Sequence, residues 1–366
     1  MNDNDGKLGL GLVGTGMGSL VMAINHDPTA DIRVRGIYEP DFKRQHQRYA
    51  VGKKLKELAA EYKVEFLTAD YAALLARNDI DCIGIFSPCP NHFEQIKAAL
   101  LAGKHVMVTK PMVVSLEEAR EIVRLADQTG LKLMVAQSMR WNGMFVAIHD
   151  LVASGKIGRI MLAEAYYVHD MRPVMDASPW RYQMPQDLIY GGVCHPADLL
   201  RWCLGEVDEV FAYGTHGGLD MRYPEDKPDN FVISLRYRNG VIARILEAHS
   251  VVHAPNLWRL GSFHGVGIGL YGTGASLFND RIVYDYYGTG KPPVEEKVEP
   301  AGNSTDHAGE VLAFTRHFAD CILNDRKPLV DVRDGAQIIA ICDACWESIR
   351  TGKPVKVSRE FDNAKI

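Results

Sequence analysis

No apolar run in this 366-residue chain is long enough for a membrane-spanning helix, which needs roughly 18 residues or more. Positive charge is not in excess either. The 41 Lys and Arg stand against 46 Asp and Glu, a net charge of −5, so there is no basic footprint for nucleic acid or an anionic membrane surface. The first residues, MNDNDGKLGLGLVG, are acidic and polar ahead of a short apolar run, unlike a secretory signal. The chain has no internal repeat and no low-complexity stretch. Cysteine is sparse: Cys82, Cys89, Cys194, Cys203, Cys321, Cys342 and Cys345 are seven in number and scattered. That points to free thiols in a reducing cytoplasm rather than a disulfide framework. Cys342 and Cys345 form a C-x-x-C without a second ligand pair, and AQIIAICDACWESIR reads as one amphipathic helix. The remaining composition, 47% hydrophobic and 24% charged, is that of an ordinary globular chain large enough for two domains.

The first third alternates strand and helix patterns. KLGLGLVG is a nearly all-apolar strand ending in glycine, IRVRGIYEP a second strand, and DCIGIFSP, HVMVTKP and LKLMVAQS three more. Between them, SLEEAREIVRLADQTG carries its own start and stop: Ser115 caps, Glu118 reaches back, and Gly130 ends the helix. Such alternation builds a parallel, doubly wound sheet. Past residue 140 the texture changes to strand-like segments, with Asn239-Gly240 reading as a two-residue hairpin turn. The expected architecture is a Rossmann domain over 1–138 and an α+β domain with a largely antiparallel open sheet over 139–366, closed by helices near 308–324 and 334–351.

Several short motifs carry chemistry. GLVGTGMGS links the first strand to a helix; Gly14 permits the tight turn and Gly16 lets backbone approach a pyrophosphate. Ser19 holds the third glycine position of G-x-G-x-x-G, so the glycines alone say little. Glu39, closing the second strand, adds weight, because a carboxylate there accepts both ribose hydroxyls of NAD and repels a 2′-phosphate. Lys43 and Arg44 beside it leave NADP open. Lys110 ends an apolar strand, where the crevice of an α/β sheet takes ligands. There it can steady a developing alkoxide or assist proton transfer.

YGGVCHPADLLRW, Tyr190–Trp202, sets Cys194 against His195. Helix neighbours do not face each other, so a thiol–imidazole couple is geometrically poor, whereas His195 and Asp198 share a face. His249 and His253 near Glu247 have a metal-like spacing, but the run reads as strand entering a loop, so they do not form one ligand face.

Taken in order, the glycine-rich turn, the acidic end of the second strand, PNHFEQIKAALLAGKHVMVTKP, the later GG…H-x-x-D, DNFVISLRYRNGVIARI and FTRHFADCILNDRKPLVDVRDG resemble the Gfo/Idh/MocA family across nearly the whole chain. The resemblance implies NAD(P)-dependent oxidation or reduction of a sugar or polyol carbon, and an open sheet that makes oligomer contacts. It implies cofactor contacts at Gly14, Gly16, Met17, Glu39, Ser87, Pro88, Asn91, His92, Thr109, Lys110 and Gln137. Catalysis falls to Lys110 and His195, with Asp198 or Tyr190 giving a second polar contact. Arg140, Trp141, Trp180, Arg181 and His195 face the substrate. Two positions depart from the family pattern: its Glu-Lys-Pro is Thr109-Lys110-Pro111 here, and the aspartate it carries four residues before the histidine is Gly191.

The expected protein is a cytoplasmic, NAD-dependent sugar or cyclitol dehydrogenase without a metal, acting as a dimer or tetramer. Two other readings stay open: a redox-neutral enzyme that oxidises its sugar transiently with tightly held NAD, and a non-catalytic NAD or sugar sensor.

Overall fold

The computed structural model describes residues 6–43, 52–184, 187–218, 222–252, 259–260, 263–302 and 307–362. Six parallel strands form the first sheet: β1 (Leu8–Val13), β2 (Ile32–Tyr38), β3 (Phe66–Thr68), β4 (Cys82–Ile85), β5 (His105–Thr109) and β6 (Leu133–Ala136). Their order is β3-β2-β1-β4-β5-β6. The direction of winding reverses between β1 and β4, so the carboxyl ends of those strands flank the position where doubly wound sheets take ligands. Local signals land where the sequence puts them. Ser115 Oγ accepts the Glu118 N–H at 3.2 Å and the Glu118 carboxylate accepts the Val114 N–H at 3.1 Å. Gly130, at φ 66°, closes helix Leu116–Thr129.

The chain divides into two compact units, Met1–Ala136 with Asp176–Met184 and Ala308–Ala336, and Gln137–Met175 with Pro185–His307 and Gln337–Ile366. Within the first unit the late segment joins the sheet by backbone and charge. The Val135 N–H donates to the Val330 carbonyl at 2.9 Å, Arg316 pairs with Asp27, and Arg333 meets Asp127 at 2.6 Å.

The second unit is built on nine strands. They run in the order Glu295–Lys297, Arg281–Tyr284, Ala275–Phe278, Val266–Gly272, β7 (Ile160–Val168), β10 (Ile242–Ala248), β9 (Asn230–Tyr237), β8 (Val207–Thr215), Val355–Lys356. β7 and β10 pair in parallel, and the other ladders of this sheet are antiparallel. The β9–β10 turn differs from the two-residue expectation. Tyr237 N–H donates to Val241 O at 2.9 Å, which leaves residues 238–240 in the loop, with Gly240 at φ 88°. This is the three-residue hairpin in which the last residue must be left-handed, so glycine was the right signal for a longer loop. One face of the sheet is buried, alternating along β9. The other exposes apolar side chains, with Leu162 at 53%, Val232 at 50% and Ile242 at 53%. No helix among the described residues is long and apolar enough to cross a membrane.

Candidate active site

In the first unit, the β1 turn has the shape of a phosphate cradle. Gly14 sits at φ 82°, and a side chain there would press on the backbone of Phe86 and Ser87 at the end of β4. Gly16 is surrounded by open space, so a ligand can approach its backbone directly. Met17 beside it is half-buried. Glu39 is buried, 3% exposed, and accepts the Thr15 hydroxyl at 2.8 Å. A carboxylate held this way beside the glycine turn is an aimed acceptor rather than a solvated turn residue, and it fits the ribose diol of NAD. Lys43 is exposed, and Arg44 lies outside the described residues.

At the end of β4, Ser87 Oγ donates to Gln95 Oε1 at 2.5 Å, Pro88 is half-buried and Asn91 is exposed. His92 departs from its expected place at the cofactor. It is 1% exposed, with Nδ1 2.9 Å from the Pro111 carbonyl and Nε2 3.1 Å from the Ser87 carbonyl. Burial pushes its pKa below the usual imidazole range, although the carbonyls pull the other way. Its ring therefore lies between the end of β4 and the turn after β5, the turn that carries Lys110. Thr109 and Lys110 are half-buried. Trp180 and Arg181 belong to the short helix Trp180–Gln183, and the Arg181 guanidinium lies 4.4 Å above the Trp180 ring.

In the second unit, His195 opens helix Cys194–Leu204, which follows a wide π turn, Ile189–Val193. His195 is 7% exposed and stands edge-on to Tyr167 on β7, ring centres 5.7 Å apart. Asp198, one turn on, does not supply an uncommitted carboxylate. Both of its oxygens take a fork from Arg140, at 2.8 and 2.7 Å, with side-chain exposures of 6% for Arg140 and 2% for Asp198. This corrects two expectations together: Arg140 is turned onto a protein carboxylate rather than a substrate, and Asp198 is held by it. The opposite charges explain both, since neither ion is stable in the interior without the other. Arg140 also lies 5.4 Å from the Trp202 ring centre. Trp141 is half-buried and Gln137 is 2% exposed.

Tyr190 likewise departs from its expected place. Its side chain is buried, and burial pushes the phenol well above the usual range, with the nearby acidic groups adding to it. Cys194 is fully buried. Burial also raises the thiols of Cys342 and Cys345, and Cys342 Sγ donates to the Ile189 carbonyl at 3.4 Å, which is inert packing. All seven cysteines are free. No group of three His, Cys, Asp or Glu among the described residues could hold a metal.

Two side chains enter that the sequence reading did not name, Tyr167 and His169, together with Glu247 and His249, which it weighed only as a metal site. Tyr167 is ringed by His195, by His169 at 6.0 Å and by His249 at 5.1 Å. His249 Nε2 lies 2.5 Å from Glu247 Oε1. The missed signal is the strand period: Glu247 and His249 are two apart, hence on one face, and Glu247 continues the buried series Ala243, Ile245. His253 lies outside the described residues.

Comparison with known proteins agrees with this architecture. Residues 8–137 match the Gfo/Idh/MocA model described as the oxidoreductase family, NAD-binding Rossmann fold, and residues 149–357 match that family's C-terminal alpha/beta domain. The chain belongs to the Gfo/Idh/MocA oxidoreductase family. Among similar proteins, the 1,5-anhydro-D-fructose reductase of Ensifer adhaerens is 28% identical, over 57% of this chain and 60% of that enzyme. The scyllo-inositol 2-dehydrogenase (NADP(+)) IolW of Bacillus subtilis is 25% identical, over 94% of this chain and 95% of its own. In fold, a levoglucosan dehydrogenase solved with NADH superposes with a TM-score of 0.80 at 21% identity, covering 96% of this chain and 99% of the other.

Proposed function

We propose that this oxidoreductase is an NAD-dependent dehydrogenase of a sugar, sugar derivative or cyclitol, with His195 as its acid–base. The observation that carries the reading is the pairing of two features in one family member. One is a glycine turn with a buried, aimed Glu39; the other is an imidazole at the first turn of a buried helix. Names among the similar proteins specify anhydrofructose, inositol and levoglucosan, and hydroxyl-bearing carbons are common to these. When bound, NAD supplies the hydride acceptor.

The chain's own residues do the rest. Gly14 and Gly16 admit the pyrophosphate, and Glu39 accepts the ribose hydroxyls. Ser87, Pro88, Asn91, Thr109 and Gln137 complete the cofactor contacts, and His92 holds the turn that carries Lys110. Lys110 donates to the substrate oxygen and His195 takes its proton. Asp198 and Arg140 keep the His195 helix in place, while Trp141, Trp180 and Arg181 contact the sugar. The working division is a cofactor domain, 1–138, and a substrate domain, 139–366. The exposed apolar side chains Leu162, Val232 and Ile242 suit contact with a second copy of the chain in a cytoplasmic homo-oligomer.

A spectrophotometric screen of sugars, sugar acids and cyclitols with NAD and NADP tests the reading. At least one polyol should yield accumulating NADH. His195→Ala should lower kcat by on the order of 10²–10⁴ while NAD affinity is unchanged. Full turnover by His195→Ala would refute the assignment. Turnover of a sugar without net NADH would instead favour the redox-neutral reading.

A further inference from the structure

The residues just before the His195 helix, Ile189–Val193, include no acid and no imidazole that could orient the ring from its own turn. A flat neighbour comes from the sheet instead. Tyr167 on β7 stands at 88° to His195, ring centres 5.7 Å apart, the edge-on geometry that paired rings favour. The register of β7 on β10 pairs Tyr167 with Glu247, continuing Ala163–Ala243 and Ala165–Ile245 along the buried face. Glu247 is a fully buried carboxylate, which is costly unless paired. His249 is two residues on and so on the same face, with Nε2 2.5 Å from Glu247 Oε1. A ring nitrogen committed to a carboxylate fixes the orientation of its imidazole. That imidazole meets Tyr167 at 89°, ring centres 5.1 Å apart. Gly192 closes the circuit: any side chain there would collide with both Glu247 Oε1 and His249 Nε2, so the pair is seated against the turn that leads into His195.

We propose that Tyr167 is a positioning residue for His195, itself held by the Glu247–His249 pair, so that a buried carboxylate on β10 fixes the aim of the acid–base ring. The inference rests on the dehydrogenase reading given above. An imidazole that takes a hydroxyl proton must hold one nitrogen within hydrogen-bond reach of it. A side chain at the start of a helix keeps a choice of rotamers until a neighbour removes it. The Tyr167 ring is such a neighbour, and His249 closes the space on a second edge-on contact. His169 adds a third ring to the same phenol, at 6.0 Å and 55°. An apolar residue at position 247 would fill this face without the cost of burying a carboxylate. What the acid adds is a fixed His249 ring, and through it a fixed Tyr167.

The test uses the full-length protein and the polyol that the screen shows to be oxidised. Tyr167→Leu should lower kcat by about thirtyfold or more, the scale of a misaimed catalytic group, with KM and NAD affinity within about threefold. Tyr167→Phe keeps the ring and should hold kcat within about threefold of wild type. Equal losses in the two variants overturn the ring contact. In a His195→Ala background, Tyr167→Leu should cost less than about threefold more, because residues that act through one another are not additive. Losses that multiply in the double variant overturn the proposal. His249→Gln should likewise lower kcat, by about fivefold or more, only where His195 is present; an unaltered kcat in this variant overturns the part given to the pair. If Tyr167→Leu does not fold, His249→Gln and its double variant carry the same test. Independently of turnover, the ring protons of His195, assigned by their loss in His195→Ala, should move by more than their line width in NMR spectra of His249→Gln and Tyr167→Leu, and stay near the wild-type position in Tyr167→Phe. Unmoved resonances overturn the contact. If the wild type oxidises no polyol, the dehydrogenase reading falls, and these resonances alone decide whether Tyr167 seats His195.

Discussion

At the scale of single residues, the site turns on where charge is buried and what holds it. Glu39 is the clearest case. A buried acid that accepts the Thr15 hydroxyl and the Asp41 N–H is held in orientation beside the glycine turn. A charged hydrogen bond is worth roughly 1.5–3 kcal/mol, so Glu39→Ser should weaken NAD binding by about tenfold or more and narrow the preference over NADP. Fluorescence titration with both nucleotides measures this; equal affinities for NAD in wild type and variant would contradict the role. Glu39 was legible in the sequence because strand and motif spacing locate it. Lys110 and His195 were legible for the same reason. The partner of Asp198 was not, because Arg140 is far away in sequence and only the packed fold brings it up. Glu247 and His249 fall between these cases. Their shared face follows from the strand period, but which face is buried does not.

At the scale of elements, the His195 helix is held at its start by two devices. The π turn Ile189–Val193 lets Gly192 close on β10, and the Arg140–Asp198 fork ties the turn Ser138–Trp141 to the helix. Breaking a buried pair by removing one partner leaves an uncompensated ion, a cost of about 3–5 kcal/mol. Arg140→Met should therefore destabilise the protein by about that much, measured by urea denaturation, and adding Asp198→Leu should recover most of the loss. A loss under about 1 kcal/mol would mean the fork is dispensable. Strand and helix positions were largely readable from periodicity and caps, as at Ser115 and Gly130. The π turn was not, because its wide winding is dictated by what Gly192 packs against and leaves no mark in the local pattern.

At the scale of the whole molecule, two compact units share the work. The first carries the glycine turn, Glu39 and Lys110; the second carries His195, Tyr167 and the Glu247–His249 pair. The late segment 308–336 returns to the first unit through Val330, Arg316 and Arg333, a long-range closure that helix patterns near the end of the chain do not reveal. The central claim is that this machinery moves a hydride from a hydroxyl-bearing carbon to NAD. Its most direct test is isotopic: the polyol found by screening, deuterated at the carbon to be oxidised, is turned over with NAD, and the nucleotide is recovered for mass spectrometry. The account predicts deuterium on the nicotinamide of accumulating NADH, with one label per turnover. Recovery of unlabelled nucleotide, or of NAD without net reduction while the sugar is consumed, would contradict it.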